Sequence, residues 1–379
     1  MASLLPLLET RRVILCVGCG GVGKTTTTAA LGLGAAMRGK RVLCLTIDPA
    51  KRLANSLGLE AMDTEAQTVA PELFARAGLD VPGSLTVMML DTKRTFDALV
   101  ARHASSPEAR DKILHNKLYH HVSTSLAGTH EYMAMEKLYE VRASGDWDLI
   151  VLDTPPTSNA LDFLDAPERL VGALDGAAVK WLIQAFQGTG ALSLNLLAKS
   201  AAVVLKGISK LTGGGFLEDL AAFVTELNDL FGGWKQRAAE VSKALREPDV
   251  AYVLVTSPAP LAIEEVLFFG ERLRSQGMRE DAFVVNRVHT PPAARPAEAD
   301  VRRVLAERGL DLGDDGPERL LRALGEEAQQ AEIDRENLRA LDGALRGSRA
   351  LRADVPAYAA DVHDLRALAS VTRALVGDA

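Results

Sequence analysis

Cysteine is scarce in this chain, and its scarcity excludes several kinds of protein. The 379 residues include three cysteines, all within the first 44 positions. A framework of disulfides, which stabilises small secreted domains, is therefore excluded. A late cluster of thiolates, which soft metals and metalloids require, is missing as well.

Long apolar runs and blocks of basic residues are also missing. No apolar run approaches the roughly 18 residues that a membrane-spanning helix needs, so we expect no stable membrane insertion. The net charge is −7 and no Lys/Arg block stands out, so we expect no binding to nucleic acid. The first charges follow a very short apolar piece, which is the wrong order for a secretory signal. Together these features predict a cytoplasmic protein.

A glycine-rich segment near the start of the chain is the most informative feature that is present. Residues 18–25 read Gly-Cys-Gly-Gly-Val-Gly-Lys-Thr, which fits the phosphate-binding pattern G-x-x-x-x-G-K-[ST]. The segment follows the apolar run 13–17 and opens a helical pattern, so backbone N–H groups would surround a polyphosphate. Lys24 would reach the β- and γ-phosphates, and the Thr25 hydroxyl would ligate Mg²⁺. The predicted nucleotide-binding residues are Gly20, Gly21, Val22, Gly23, Lys24, Thr25 and Thr26.

A dinucleotide site is the first alternative for this segment. Gly18, Gly20 and Gly23 also fit the pattern G-x-G-x-x-G, and Asp48 ends the second predicted strand, as that kind of site requires. The Lys-Thr pair that begins at Lys24 instead favours a nucleoside triphosphate, so we predict ATP and Mg²⁺ as the ligands.

Two of the cysteines form a second pattern in the same segment. Cys16 and Cys19 make a C-x-x-C, which in other contexts binds metal or performs redox chemistry. Because one lies in a strand pattern and the other in the phosphate loop, a structural role is favoured.

Short apolar runs alternate with helical patterns along most of the chain. The runs are continuous rather than alternating, which is typical of a parallel sheet covered on both faces. The predicted fold is therefore α/β, a doubly wound and mostly parallel sheet that forms a P-loop NTPase core with an inserted helical subdomain. The predicted strands cover residues 13–17, 42–47, 85–90, 149–152, 251–255 and 283–285, with a weaker strand before Pro356.

The strand signal disappears in the middle of the chain, and this gap sets the domain boundaries. Residues 161–248 read as a helical subdomain inserted between two halves of the core, 1–160 and 249–379. A second, polar helical insert covers 296–349. The apolar spacing from Val362 onward predicts one more amphipathic helix, packed on the core.

Two aspartates end predicted strands on the side of the phosphate loop. Asp48 could face the γ-phosphate and orient a water for catalysis, although it could also cap the helix that follows. Asp153 could hold Mg²⁺ directly or through water, and the stiff Pro-Pro loop at 154–157 could act as a switch. The alternative for Asp153 is an ordinary strand-to-helix turn.

An amide side chain follows another predicted strand. Asn286 comes directly after residues 283–285, where its donor and acceptor could read the edge of adenine. The residues alone leave this role and a purely structural one equally open.

Taken in order, these segments resemble one family. They are similar to the arsenite-pump ATPases, which include the targeting ATPases for tail-anchored membrane proteins and have a deviant P-loop. The match covers most of the chain and is weakest in the two helical inserts. The resembling segments are 20–26, 46–50, 153–157, 285–286 and 355–362.

The resemblance implies more than the residues alone predict. It implies an ATP-driven dimer with facing nucleotide sites and a helical subdomain that offers an apolar groove to a client helix. It assigns the water-positioning role to Asp48, a second switch to 153–157 and the adenine contact to Asn286. It also places Pro356 in the last segment that faces the nucleotide.

This sequence departs from the family in three places. Cys19 stands where the family usually has a lysine that reaches the partner's phosphates, and a thiol cannot supply a charged contact. Lys51, Arg52 or a lysine-bearing paralogue in a heterodimer could replace it. The missing late cysteines argue against arsenite extrusion. Residues 160–247 contain no methionine, so a client groove and an ordinary core are equally open there.

The predicted function is that of a Mg²⁺-dependent ATPase, with Lys24 and Asp48 as its catalytic residues. It would act as a nucleotide-switched homodimer or heterodimer that binds and releases a protein client, including a hydrophobic or membrane-protein segment. The alternatives are a positioning module with slow hydrolysis, or the ATP-driven subunit of an anion-transport system. A metabolic P-loop enzyme is a further alternative, but no set of convergent polar residues predicts its pocket.

Overall fold

A computed structural model of the chain describes most of its residues. The described ranges are 3–47, 65–104, 106–116, 129–154, 236–292 and 296–378, with 53, 54, 57, 59, 119 and 166 in addition. They fall into two compact units. Unit 1 contains 1–89, 144–160 and 248–379, and unit 2 contains 90–143 and 161–247.

The described residues of unit 1 form an eight-stranded sheet that confirms the predicted α/β fold. The strand order is β3-β4-β2-β5-β1-β6-β7-β8, and every neighbouring pair is parallel except β3 with β4. The central strands are buried along their whole length, which is why their sequences are continuous apolar runs. The strands are β1 (Val13–Val17), β2 (Arg41–Thr46), β3 (Gln67–Thr68), β4 (Ser84–Met89), β5 (Leu149–Asp153), β6 (Val250–Thr256), β7 (Ala282–Val288) and β8 (Leu351–Pro356).

Helices separate the strands, as the sequence predicts. In unit 1 they are α1 (Leu5–Thr10), α2 (Lys24–Ala36), α3 (Pro71–Ala77), α7 (Pro260–Ser275), α8 (Glu298–Glu307), α9 (Gly316–Asn337), α10 (Arg339–Leu345) and α11 (Leu365–Val376). The described helices α4 (Thr92–His103) and α5 (Pro107–His115) belong to unit 2, and α6 (Thr129–Ser144) ends at its boundary with unit 1.

The C-terminal helix α11 packs on α2 at the core of unit 1. Small residues in α2 allow this close approach, since a Cβ added to Gly34 would lie 3.0 Å from Val376 Cγ2. The Thr372 hydroxyl and the carbonyl oxygen of Ala30 are both buried, and the hydroxyl donates a hydrogen bond to this oxygen at 3.0 Å. The predicted amphipathic helix at the end of the chain is confirmed, and its apolar face covers the first helix of the nucleotide-binding segment.

Two short elements have no signal in the sequence. The edge strand β3 has two residues and the helix α1 has six, and neither is long enough to show a period. Tertiary contacts hold both elements in place. At the start of α1, for example, the backbone N–H of Leu4 donates to the carbonyl oxygen of Leu375 at 2.9 Å.

Unit 2 is helical in its described part, which includes a helical segment at 236–244. A buried ion pair joins this segment to α6, with Arg237 Nη2 lying 2.7 Å from Glu136 Oε1. The same guanidinium stacks over the ring of Tyr139, 4.1 Å from its centroid. No helix in the described ranges has the length and apolarity needed to cross a membrane.

Candidate nucleotide-binding site

The glycine-rich loop joins β1 to α2 and depends on backbone conformations that favour glycine. Gly18, Gly21 and Gly23 have φ angles of 156°, 78° and 100°. A Cβ on Gly18 would lie 2.1 Å from the carbonyl oxygen of Val255 on β6. The loop therefore passes the neighbouring strand at a distance that only glycine permits.

The first turn of α2 presents backbone N–H groups to the loop. Gly23 is the N-cap residue, and it has no side chain that could cap this end of the helix. Lys24 is 6% exposed, and its Nζ donates across the loop to the carbonyl oxygen of Cys19 at 2.9 Å. A helix N-terminus with an adjacent ammonium group provides the electrostatics of a phosphate site.

A buried carboxylate lies beside this helix end. Asp153 is the last residue of β5 and is 1% exposed. Its Oδ2 accepts from the Thr25 hydroxyl at 2.7 Å and from the Thr46 hydroxyl, at the end of β2, at 3.0 Å. Since the Thr25 hydroxyl has a single proton and donates it in this hydrogen bond, the Thr25 oxygen keeps its lone pairs for another partner.

The chain leaves β5 in a fixed direction. The Thr154 hydroxyl donates to the carbonyl oxygen of Cys16 at 2.8 Å, and the Thr154 backbone N–H points to the same oxygen at 3.4 Å. Thr154 also lines the cavity described below. The start of the predicted second switch is therefore attached to β1, while residues 155–157 lie outside the described ranges.

Asn286 on β7 contacts the loop from the other side. Its Nδ2 donates to the carbonyl oxygen of Val22 at 2.9 Å. A Cβ on Gly23 would lie 2.2 Å from the same nitrogen, so the amide packs directly on the loop. This contact leaves the Asn286 carbonyl oxygen as an acceptor at the cavity.

A cavity of about 770 Å³ connects these elements within unit 1. The lining residues come from the loop with the start of α2, from Thr154 after β5, from the end of β7, from the end of β8 with the residues that follow it, and from Val371 on α11. Lys24, Asn286 and Pro356 are among the lining residues. The volume lies within the usual range for sites that bind small molecules and cofactors.

The cysteines near the loop remain protonated thiols. Burial raises the pKa of Cys16 to about 12. Burial, and then the neighbouring Glu265 carboxylate, raises the pKa of Cys19. Thiolates are the form that binds metal, and within the described residues no three His, Cys, Asp or Glu side chains form a metal-binding group. This chemistry favours the structural role for the C-x-x-C.

The structure brings together most of the predicted site residues. The loop residues, Asp153, Asn286 and Pro356 all surround or support the cavity. Asp48, Lys51 and Arg52 lie outside the described residues, as does most of the 161–248 insert.

The site residues predicted from the sequence do not include Thr46, Thr154 or His289. The two threonines lie in the segments 46–50 and 153–157, so their positions at the ends of predicted strands could have predicted a place in the site. His289 had no such signal, because its contact, Asp334, lies 45 positions along the chain.

Comparison with known proteins agrees with this geometry. The profile of the anion-transporting ATPases matches residues 11–303, which include the loop and the ends of β2, β5 and β7. The chain belongs to the anion-transporting ATPase family. It is an ATPase of this family, and the matched region contains the residues that surround Lys24 and Asp153.

Individual relatives cover most of the chain. An uncharacterised protein of Streptomyces coelicolor is 28% identical over 79% of this chain and 68% of its own length. The ATPase get3 of Pyrenophora tritici-repentis is 26% identical over 82% of this chain and 85% of its own length. The ATPase GET3 of Phaeosphaeria nodorum is 25% identical over 82% of this chain and 87% of its own length.

Proposed function

We propose that this ATPase binds Mg²⁺·ATP in the cavity of unit 1 and changes the conformation of its switch segments on hydrolysis. The observation that carries the proposal is the cluster of Thr25, Thr46 and Asp153 beside the N-terminus of α2. It combines a carboxylate, two hydroxyl oxygens and a phosphate-binding helix end, which is the set that Mg²⁺·ATP requires.

The donor set suits magnesium. The Thr25 hydroxyl donates its proton to Asp153, so its lone pairs are directed away and suit a hard cation. Asp153 would act on the ion through water or directly. Bound Mg²⁺ would neutralise charge on the β- and γ-phosphates, while Lys24 would contact the same phosphates in place of the Cys19 carbonyl.

The same cluster joins the two proposed switches. Thr46 lies two residues before Asp48, the proposed water-positioning residue, and Asp153 begins the second switch. Because Thr46 and Asp153 share a hydrogen bond, a change at Mg²⁺ would act on both segments together. Asn286 and Pro356 would bind the adenine end of the nucleotide.

Replacing Asp153 by asparagine tests the magnesium role. We expect Asp153→Asn to lower the Mg²⁺-dependent ATPase rate on the order of 100-fold, because the ion that would stabilise the developing charge loses its carboxylate partner. ATP binding without Mg²⁺ should remain within a few-fold of the wild-type protein. The measurement is steady-state hydrolysis with calorimetry at several Mg²⁺ concentrations.

Asp148→Asn is the matched control for this experiment. Asp148 precedes the other end of β5, and its carboxylate pairs with Arg41 Nη2 at 2.8 Å on the surface. Its replacement should leave the rate unchanged. Equal rates and equal Mg²⁺ dependence in the Asp153→Asn and wild-type proteins would contradict the assignment.

The dimer is the second part of the proposal. The surface beside Cys19 presents a thiol and the Glu265 carboxylate, and this acidic side chain supports a partner that contributes a cation. A heterodimer with a lysine-bearing paralogue meets this requirement, and a homodimer would use Lys51 or Arg52. Light scattering with and without ATP, on the protein alone and with the paralogue, distinguishes the two assemblies.

A protein client is the third part, supported by the resemblance to targeting ATPases. The 161–248 insert would bind a hydrophobic segment in the ATP state and release it after hydrolysis, in a cytoplasmic protein. Co-purification of clients with the wild-type, Lys24→Ala and Asp48→Asn proteins tests this role. The ATP-trapped Asp48→Asn form should be enriched in the client, and recovery of no hydrophobic segment in any form would contradict it.

A further inference from the structure

A histidine and an aspartate form a pair at the cavity that the proposed chemistry does not use. The ring nitrogen Nδ1 of His289 lies 2.8 Å from Asp334 Oδ2, and the backbone N–H of His289 donates to the same oxygen at 2.9 Å. Gln330 Nε2 donates to the other oxygen of Asp334 at 3.1 Å. Asp334 is 3% exposed, while the His289 side chain is 30% exposed and lines the cavity.

The pair determines which ring nitrogen of His289 carries the proton. A carboxylate that accepts from Nδ1–H leaves Nε2 of the neutral ring as an acceptor. Nε2 is on the ring edge opposite the carboxylate, and no described residue donates a hydrogen bond to it. In its neutral form His289 therefore offers an acceptor of fixed orientation at the cavity wall.

A bulge in β7 gives His289 its position. Asn286 and His289 are three residues apart, so an unbroken strand would direct them to opposite faces. The register shifts between Val285 and Val288, and Arg287 has a φ of 62°. This bulge explains how both side chains come to line one cavity.

An acceptor at this place matches one part of the nucleotide. Phosphate oxygens are acceptors themselves and would not bind Nε2. His289 lies on the same strand end as Asn286, and this strand end lines the cavity with Pro356 on the side proposed for the base. We infer that His289 Nε2 accepts a hydrogen bond from the 6-amino group of adenine, and that Asp334 is the positioning residue for the imidazole. The inference rests on the proposed ATP site and makes His289 a determinant of base specificity.

Inosine triphosphate tests this assignment, because its 6-oxo group accepts where adenine donates. By calorimetry with Mg²⁺, we expect the wild-type protein to bind ATP about tenfold more tightly than inosine triphosphate. In His289→Ala this ratio should shrink about fivefold, with the rest of the discrimination left to Asn286. The control is His115→Ala, which should keep the wild-type ratio. His115 is an exposed histidine on α5, and its Nδ1 contacts the Asp111 carbonyl oxygen.

Two variants of Asp334 separate positioning from general support of the fold. Asp334→Asn keeps an oxygen that can accept from Nδ1, so it should keep most of the discrimination. Asp334→Ala releases the ring and should shrink the ratio as His289→Ala does. A merely structural role for Asp334 would weaken the binding of both nucleotides equally and would leave the ratio unchanged.

Several outcomes would overturn the inference. One is that His289→Ala keeps the wild-type ratio of ATP affinity to inosine triphosphate affinity. Another is that His289→Ala changes the ratio of ATP affinity to 2′-deoxyATP affinity, which would place the contact at the ribose. If the variants do not fold, ¹⁵N imidazole spectra of the wild-type protein decide, since the His289 Nε2 resonance must shift with ATP and not with inosine triphosphate. A wild-type protein that binds no ATP would overturn the proposed function too, whereas intact ATP binding confines the failure to His289.

Discussion

Lys24→Ala should lower kcat for ATP hydrolysis by about 10²- to 10³-fold, the usual effect of removing one preorganised contact to developing charge. Lys24 is buried at the start of α2, and its Nζ already points across the loop to the Cys19 carbonyl oxygen. The ammonium group is therefore held where phosphate oxygens would replace that carbonyl. Its loss also removes a charge-assisted contact, so the affinity for ATP should fall as well.

Steady-state hydrolysis and calorimetry with Mg²⁺·ATP measure the two effects of Lys24→Ala. Lys112→Ala is a suitable control, because this lysine is exposed on α5 and the same charge is removed from the chain. Lys24→Arg should also lose most activity, since a buried site has little space for the larger guanidinium. A Lys24→Ala rate within threefold of the wild-type rate would contradict a phosphate-contacting role.

Gly18→Ala is expected to destabilise unit 1 by about 3 kcal/mol or more, the sum of backbone strain and overpacking. The added Cβ would lie 2.1 Å from the carbonyl oxygen of Val255, which belongs to the central strand β6 and cannot rotate away. The φ of 156° at Gly18 adds strain for any residue with a side chain. The loop or β6 must therefore shift.

Urea unfolding measures this loss as a change in the free energy of unfolding, and ATP affinity reports the displaced loop. The matched control is Gly145→Ala, also in unit 1, where φ is 74° and no atom of the other described residues beyond its chain neighbours lies within 4 Å of the added Cβ. Only backbone strain applies there, so the cost should be about 1 kcal/mol. Equal losses of unfolding free energy in the two variants would show that the close approach to Val255 does not add to the cost of Gly18→Ala.

The sequence predicts most of the sheet correctly because the strands are buried on both faces. β1, β5 and β6 are therefore continuous apolar runs, and these stand out against the helical patterns between them. Their predicted bounds differ from the observed ones by about one residue. The edge strand β3 was not predicted, because two residues held by β4 alone carry no period of their own.

Local chemistry also accounts for the glycine-rich loop. Its glycines and the Lys-Thr pair are adjacent in the chain, so one short segment is sufficient to predict a triphosphate site before any contact is known. Asp153 could be placed near the loop for a related reason, since parallel strands end at one edge of a sheet.

Contacts between distant residues required the folded chain. Thr46 and Asp153 are 107 positions apart and meet because β2 and β5 are neighbours in the sheet. Asn286 contacts Val22, which lies 264 positions away in the chain. His289 contacts Asp334 after a bulge in β7 that no local sequence pattern predicts. The residue types thus specified a phosphate-binding loop and its ATPase family, because those signals are local. Strand order and one irregularity in β7 decided which side chains share the cavity, because neighbours in a sheet need not be neighbours in the chain.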